Sequence, residues 1–284
     1  MIETFPLPVK LDTPQIGSVL FHPRPETSLD PPAGAVDFAV NTEDGRAVLG
    51  CRAFIGEQEN APVILFFHGN GETVGDYDDI GPLFLEVGIN VVFATYRGYG
   101  WSTGVPSASK LVLDAESVLV ASQQWLQDHS LSGPLFVMGR SLGSVSAIEL
   151  VYRFPDRCRG LLIESGFADT VPLLATIGVS PIPEELAEAD CFNNRRKIAH
   201  IELPTLILHG ARDQLIPIGE AEKLQAESGA RNKQFQVVPG ADHNSLMLVA
   251  GPLYFAAIKQ FIDGVTGVNT WRERRRHFKR EQSA

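Results

Sequence analysis

Two stretches of this chain read Gly-x-Ser-x-Gly, Gly100-Trp101-Ser102-Thr103-Gly104 and Gly139-Arg140-Ser141-Leu142-Gly143. A serine at the centre of such a stretch is a candidate nucleophile when a strand leads into it and a helix leads out, because that turn exposes its Oγ. Around Ser141 the context fits: Pro134–Met138 is a short apolar run, and Leu142–Phe154 has helical spacing. The flanking glycines suit a tight turn that a side chain would crowd. Ser102 instead follows Tyr96-Arg97-Gly98-Tyr99, where the preceding strand has already ended, and Pro106 comes soon after. It reads as part of a glycine-rich loop. Ser141 is the expected nucleophile; its plainer reading is a serine capping a helix.

A serine hydroxyl is a weak nucleophile until a base takes its proton, and that base must be oriented by an acid. Of the seven histidines, His243 lies in Pro239-Gly240-Ala241-Asp242-His243-Asn244, after the last strand pattern and before the last helix. Its place fits the chain order serine, acid, histidine. The acid should lie between the two. Asp213 follows the strand pattern Leu206–Gly210, whereas Asp242 is too close in sequence to orient His243 from behind. Glu164, at another strand's end, is the weaker rival. Asp213 could also be no more than a turn-capping aspartate. Charge developing on a substrate oxygen needs two N–H donors. Leu142, just after the nucleophile, supplies one; Asn70, in the loop His68-Gly69-Asn70-Gly71-Glu72, is the candidate for the other. A strand-to-helix turn needing glycine would look similar there.

The elements that must position these groups alternate. Apolar runs bounded by Gly or Pro occur at 63–68, 89–95, 135–139, 160–164, 205–209 and 234–238. Continuous apolar strands of this kind, covered on both faces, belong to a mostly parallel sheet. Helical patterns lie between them, over 107–127, 142–154, 218–227 and 245–262. Runs at 36–41 and 47–55 flank Glu43-Asp44-Gly45 and predict an antiparallel hairpin at the sheet edge. Alternation throughout predicts one doubly wound α/β domain over 36–265 with about eight strands. Residues 1–35, with seven prolines, read as an irregular arm. Residues 167–203 form a small cap-like excursion after the sixth strand, with a helix expected at 184–189. Its apolar positions Val171, Leu173, Leu174, Ile177, Val179 and Ile182 line either a substrate pocket or simply a helix core. The 266–284 tail is basic.

The motifs His68–Glu72, Tyr96–Ser102, Gly139–Gly143, Leu208–Asp213 and Gly240–Asn244 together resemble α/β-hydrolases of the Bem46-like, serine-aminopeptidase-related branch. The likeness spans about residues 36 to 262, and it implies the α/β-hydrolase fold and carboxylesterases, acyl-protein thioesterases or proteins of unknown substrate as relatives. Thr95 stands where these proteins often carry Asp. The expected activity is acyl transfer by a serine hydrolase on an ester or thioester, most nearly a carboxylesterase acting on a small-molecule acyl substrate. The alternatives are a peptidase or amidase of the same fold, or a non-catalytic binding or scaffold protein.

Composition narrows the rest. A net charge of −10 carries no general attraction to phosphate backbones, so no nucleic-acid partner is expected. No run of about 18 apolar residues predicts a transmembrane helix, and Met1–Pro14 has no apolar core of a secretory signal. Cytoplasm is the default. Cys51, Cys158 and Cys191 show no metal-like spacing. Gly-x-Gly-x-x-Gly is missed by one position at Gly69 and at Gly98, and no P-loop or His-Glu-x-x-His occurs. No cofactor and no metal are expected. The tail Trp271–Arg280 holds six Arg or Lys residues. It suits weak contact with an anionic membrane or acidic partner, or a frayed solvated helix.

Overall fold

The computed structural model describes residues 3–27 and 30–268. Its sheet has eight strands: β1 Ala35–Asn41, β2 Val48–Phe54, β3 Val63–Phe67, β4 Asn90–Ala94, β5 Leu135–Arg140, β6 Leu161–Glu164, β7 Thr205–Gly210 and β8 Lys233–Val238. Their order is β1-β2-β4-β3-β5-β6-β7-β8. β1 and β2 form the expected antiparallel edge hairpin, β2 also runs antiparallel to β4, and every later pairing is parallel. β3 to β7 are buried at every residue, while the edge strand β8 is only half-buried. That is why the central runs are apolar without alternation.

Nine α-helices lie among the described residues: α1 Pro14–Leu20, α2 Gly81–Glu86, α3 Ala108–Asp128, α4 Gly143–Arg153, α5 Thr170–Thr176, α6 Asn194–Ala199, α7 Ile218–Glu227, α8 Leu246–Ala250 and α9 Pro252–Thr266. Two hydrophobic clusters result. The larger joins Leu65, Val137 and Ile163 of the sheet to Leu119 of α3 and Ile148 of α4. The other joins Phe66, Phe136 and Leu162 to Phe84 of α2 and Phe261 of α9. Adjacent strand residues thus feed opposite faces, as a doubly wound sheet requires. None of these helices is long and apolar enough to cross a membrane.

The structure departs from the sequence expectations at three places and decides one alternative left open. The arm is not irregular throughout: α1 starts at Pro14, a residue suited to a first helical position, and Thr13 Oγ1 accepts from the Ile16 N–H at 3.3 Å. Ile16, Leu20 and Phe21 are buried in the larger cluster, so the arm belongs to the domain. The final helix is two helices, because Pro252 lacks the N–H and its ring would clash one turn back; Gly251, with φ 54°, makes the corner between α8 and α9. The acidic helix expected at 184–189 is only a 3-10 turn, Glu188–Asp190. There Glu188 caps α5 from outside, accepting from the N–H groups of Thr170 at 2.8 Å and Val171 at 2.5 Å. Finally, the apolar excursion positions Val171, Leu173, Leu174, Ile177, Val179 and Ile182 all pack against the larger core cluster, the core alternative of the two. The basic tail falls outside the described residues from residue 269 on.

Candidate active site

β5 ends at Arg140 and α4 begins at Gly143, so Ser141 must reverse the chain within one residue. Its φ is 52°, in the left-handed region that non-glycine residues adopt at a cost of about 1–3 kcal/mol. Hydrogen bonds hold it there. The Ser141 N–H donates to the Glu164 carbonyl at 2.8 Å, and the Ser141 carbonyl accepts from the N–H and Oγ of Ser144 at 3.0 and 2.6 Å. The two elbow glycines are required by space: a Cβ on Gly143 would lie 2.1 Å from the Phe67 carbonyl oxygen, and one on Gly139 would lie 2.3 Å from that of Gly143.

The ends of β5, β7 and β8 bring the three expected residues into line. His243 Nε2 lies 2.9 Å from Ser141 Oγ, and His243 Nδ1 lies 2.8 Å from Asp213 Oδ2. Asp213 is held at both oxygens: beside the His243 bond to Oδ2, Oδ1 accepts from the N–H groups of Leu215 and Ile216 at 3.0 and 2.8 Å. Such a carboxylate cannot turn away, so it fixes the ring it faces. The Asp213 side chain is 0% exposed and that of His243 is 10% exposed. Solvent therefore reaches this line only from the serine and histidine end.

The rivals do other work. Asp242 is exposed and accepts from the N–H groups of Asn244 and Ser245, shaping the turn that carries His243. Glu164 faces Arg140 and Tyr254, not His243. Ser102 accepts from the Gly50 N–H at 2.9 Å, tying its loop to β2 with no helix directly following.

Asn70 and Leu142 sit at the ends of β3 and β5. Among the described residues neither N–H has an intramolecular acceptor. The carbonyls of Phe67 and His68, which lead into the Asn70 loop, press against Gly143, so loop and elbow are packed together. His68 is buried; its Nδ1 donates to the Gly69 carbonyl at 2.7 Å, leaving Nε2 to accept from Thr95 Oγ1 at 2.8 Å. A threonine at position 95 thus serves a neutral imidazole that is tied to this loop.

One group that sequence reasoning passed over links all these parts. Arg140, the variable position of the Gly-x-Ser-x-Gly stretch, is buried behind Ser141. Its Nη2 donates to the His243 carbonyl at 2.9 Å and to Asn244 Oδ1 at 3.1 Å. Nε donates to Glu164 Oε1 at 3.2 Å, and Nη1 donates to Glu72 Oε1. Glu72 Oε2 in turn accepts from the Gly69 N–H at 2.7 Å and the Tyr77 hydroxyl at 2.6 Å. Burial works against the Arg140 cation, but Glu72 and Glu164 outweigh it and hold its pKa above the usual value. Burial pushes the Glu164 carboxyl up, against the pull of Arg140. A charged residue ending an otherwise apolar strand was the available signal.

Burial depresses the pKa of both His68 and His209. His209 Nε2 donates to the Ile216 carbonyl at 2.8 Å, and its buried Nδ1 has no partner among the described residues. The unfolded chain therefore takes up protons before the folded one. The stability this contributes is present above the ordinary histidine pKa of about 6.5 and is lost as pH falls below it. Thermal melting of the wild type should drop from neutral pH toward pH about 5, and more shallowly in His209→Gln. Parallel curves for the two proteins would remove His209 from the account.

Comparison with known proteins bears on the family and the fold. Residues 58–189 and 189–247 match the family model Hydrolase_4, described as serine aminopeptidase, S33. The chain is 31% identical over 211 residues to protein bem46 of Schizosaccharomyces pombe, covering 72% of this chain and 68% of that one. It is 31% identical over 182 residues to the rat lysophosphatidylserine lipase ABHD12, covering 58% of this chain and 45% of the lipase. The crystal structure of the Pyrococcus furiosus esterase Pf2001 superposes with a TM-score of 0.70 at 19% identity, over 86% of this chain and 97% of the esterase.

Proposed function

Because the chain belongs to the Hydrolase_4 family of serine aminopeptidase-like α/β hydrolases, we propose that it is a serine hydrolase cleaving an ester or thioester through an acyl-enzyme on Ser141. The observation that carries this reading is the continuous line from Asp213 Oδ2 through His243 to Ser141 Oγ, with steps of 2.8 and 2.9 Å. His243 Nε2 takes the Ser141 proton as Oγ bonds to the acyl carbon. The carbonyl electron pair moves onto its oxygen, facing the N–H groups of Asn70 and Leu142. Collapse of this intermediate breaks the bond to the leaving group, which receives the proton from His243. Water deprotonated by the same imidazole then attacks the acyl-enzyme, releasing the acid and restoring Ser141. Asp213 holds the ring and stabilises its cationic form without itself being protonated. The steps use only these groups and water.

Ester chemistry is favoured over amide because two of the relatives bear the names of an esterase and a lipase. The family description favours a second reading, a peptidase acting beside a free amine. A fluorophosphonate probe should label the wild type on the Ser141 peptide, and a p-nitrophenyl ester series from acetate to palmitate should show turnover peaking at one chain length. Labelling with turnover only of aminoacyl p-nitroanilides would establish the peptidase instead. No labelling would sink serine catalysis and leave a binding protein on this fold.

A further inference from the structure

The N-terminal arm, outside both the matched family region and the catalytic line, closes over the loop that carries Asn70. We infer that residues 21–26 are an outer clamp that holds this loop in its working shape, with His22 and Arg24 as positioning residues; this rests on Asn70 being an oxyanion donor.

The contacts converge on one loop. The Asn70 side chain is held at both its atoms: Oδ1 accepts from the His22 N–H at 2.9 Å and from the Tyr99 hydroxyl at 2.6 Å, while Nδ2 donates to His22 Nδ1 at 2.9 Å. One residue on, Arg24 Nη1 donates to the Gly71 carbonyl at 3.3 Å, and its Nη2 reaches Thr73 Oγ1 at 3.3 Å and Asp76 Oδ1 at 2.6 Å. The arm is itself anchored. Phe21 is buried in the core, the Arg24 carbonyl accepts from the Gly100 N–H at 3.0 Å, and the Glu26 N–H donates to the Gly100 carbonyl at 2.8 Å.

Beyond the His68 bond to the Gly69 carbonyl, two tethers therefore grip residues 69–73. The inner one runs from Glu72 to Arg140 beneath the elbow. The outer one is the arm. The loop needs both for a physical reason. Gly71 has φ 75°, so the peptide after Asn70 could rotate cheaply, while the one before it is held by His68 through the Gly69 carbonyl. An oxyanion donor is worth most when its direction is set before the charge appears. With Oδ1 and Nδ2 both engaged by the arm, the Asn70 side chain cannot fold back onto its own backbone, as asparagine in loops tends to do. The N–H then stays free to face the substrate.

His22 and Arg24 are exposed, so their side chains can be cut back without opening the core. The test reads inactivation by a fluorophosphonate, whose phosphoryl oxygen gains charge in the same hole, as kinact and KI. His22→Ala/Arg24→Ala should lower kinact about tenfold with KI and melting temperature nearly unchanged, less than the 10²–10³ expected for losing a donor outright. Asn70→Ala, which keeps its own N–H but also loses the Oδ1 bonds to the His22 N–H and the Tyr99 hydroxyl that the double variant leaves in place, should give at least that loss, and combining all three should add almost nothing to it, since they cut one clamp. Asn70→Pro removes the N–H itself. If Asn70→Pro collapses kinact while His22→Ala/Arg24→Ala leaves it at the wild-type value, the oxyanion reading stands and the clamp is overturned. Additive losses would overturn it as well. If Asn70→Pro melts like the wild type and reacts like it, the oxyanion reading fails and takes the clamp with it.

Discussion

Ser141→Ala is expected to abolish fluorophosphonate labelling and to lower ester turnover by about 10⁴–10⁶-fold. The size follows from what the hydroxyl does: without Oγ there is no acyl-enzyme, and only binding and the two N–H donors remain to assist water. Stability should barely move. Alanine inherits the same 52° φ, and the removed hydroxyl donates to no group other than His243 in the folded chain. Asp213→Asn should cost about 10⁴-fold, because an amide facing His243 Nδ1 favours the wrong tautomer. The two substitutions should not add: once Ser141 is gone, orienting its base serves nothing. Labelling mass spectrometry and steady-state turnover check all three proteins. Equal turnover in wild type and Ser141→Ala would end the proposed mechanism.

The line Asp213–His243–Ser141 was legible because each member sits where chain order and strand ends require it. Leu206–Gly210 then Asp213, and Val238 then His243, announce themselves as strand-then-loop. The same logic separated Ser141 from Ser102, since only the former has a helix directly behind it. The central strands were legible for a related reason: buried on both faces, they are apolar along their middles, with polar residues such as Asn90, Arg140 and Glu164 only at or near their ends. Local reading failed where a residue's partner is distant. Nothing within a few positions of Glu188 says that it caps α5, and nothing near His22 says that it faces Asn70, 48 residues away. The excursion's apolar stripe was ambiguous in kind, because lining a pocket and filling a core select the same side chains; only the packing of Leu174 and Val179 into the core cluster decides it. The single terminal helix failed on a residue in plain view, Pro252.

Arg140→Met is expected to lower kcat about 10²-fold or more while KM stays nearly constant, because it slackens the groups that act in the transition state without removing any of them. In the wild type one guanidinium fastens the His243 carbonyl, Asn244, Glu164 and, through Glu72, the Gly69 N–H. These belong to the loop of His243, the end of β6 and the Asn70 loop, while Arg140 itself is the residue before Ser141. Methionine has about the right length, but it leaves two carboxylates facing each other in a buried site. Breaking such an arrangement by removing one partner costs about 3–5 kcal/mol, so a lower melting temperature is expected as well. Stability alone cannot then identify the role, and Arg140→Met/Glu164→Gln separates the effects. The amide removes one uncompensated charge, and Tyr254, held protonated by burial and by the carboxylate beside it, can still donate to the amide oxygen. Much of the melting loss should return, but the His243 carbonyl and Glu72 still lack their cation, so kcat should not. Arg140→Lys, with one ammonium in place of a planar fork, should fall between. If kcat recovers together with melting temperature, Arg140 serves the fold only. If it stays low in a protein that melts like the wild type, the arginine is what keeps base, nucleophile and oxyanion loop in mutual register.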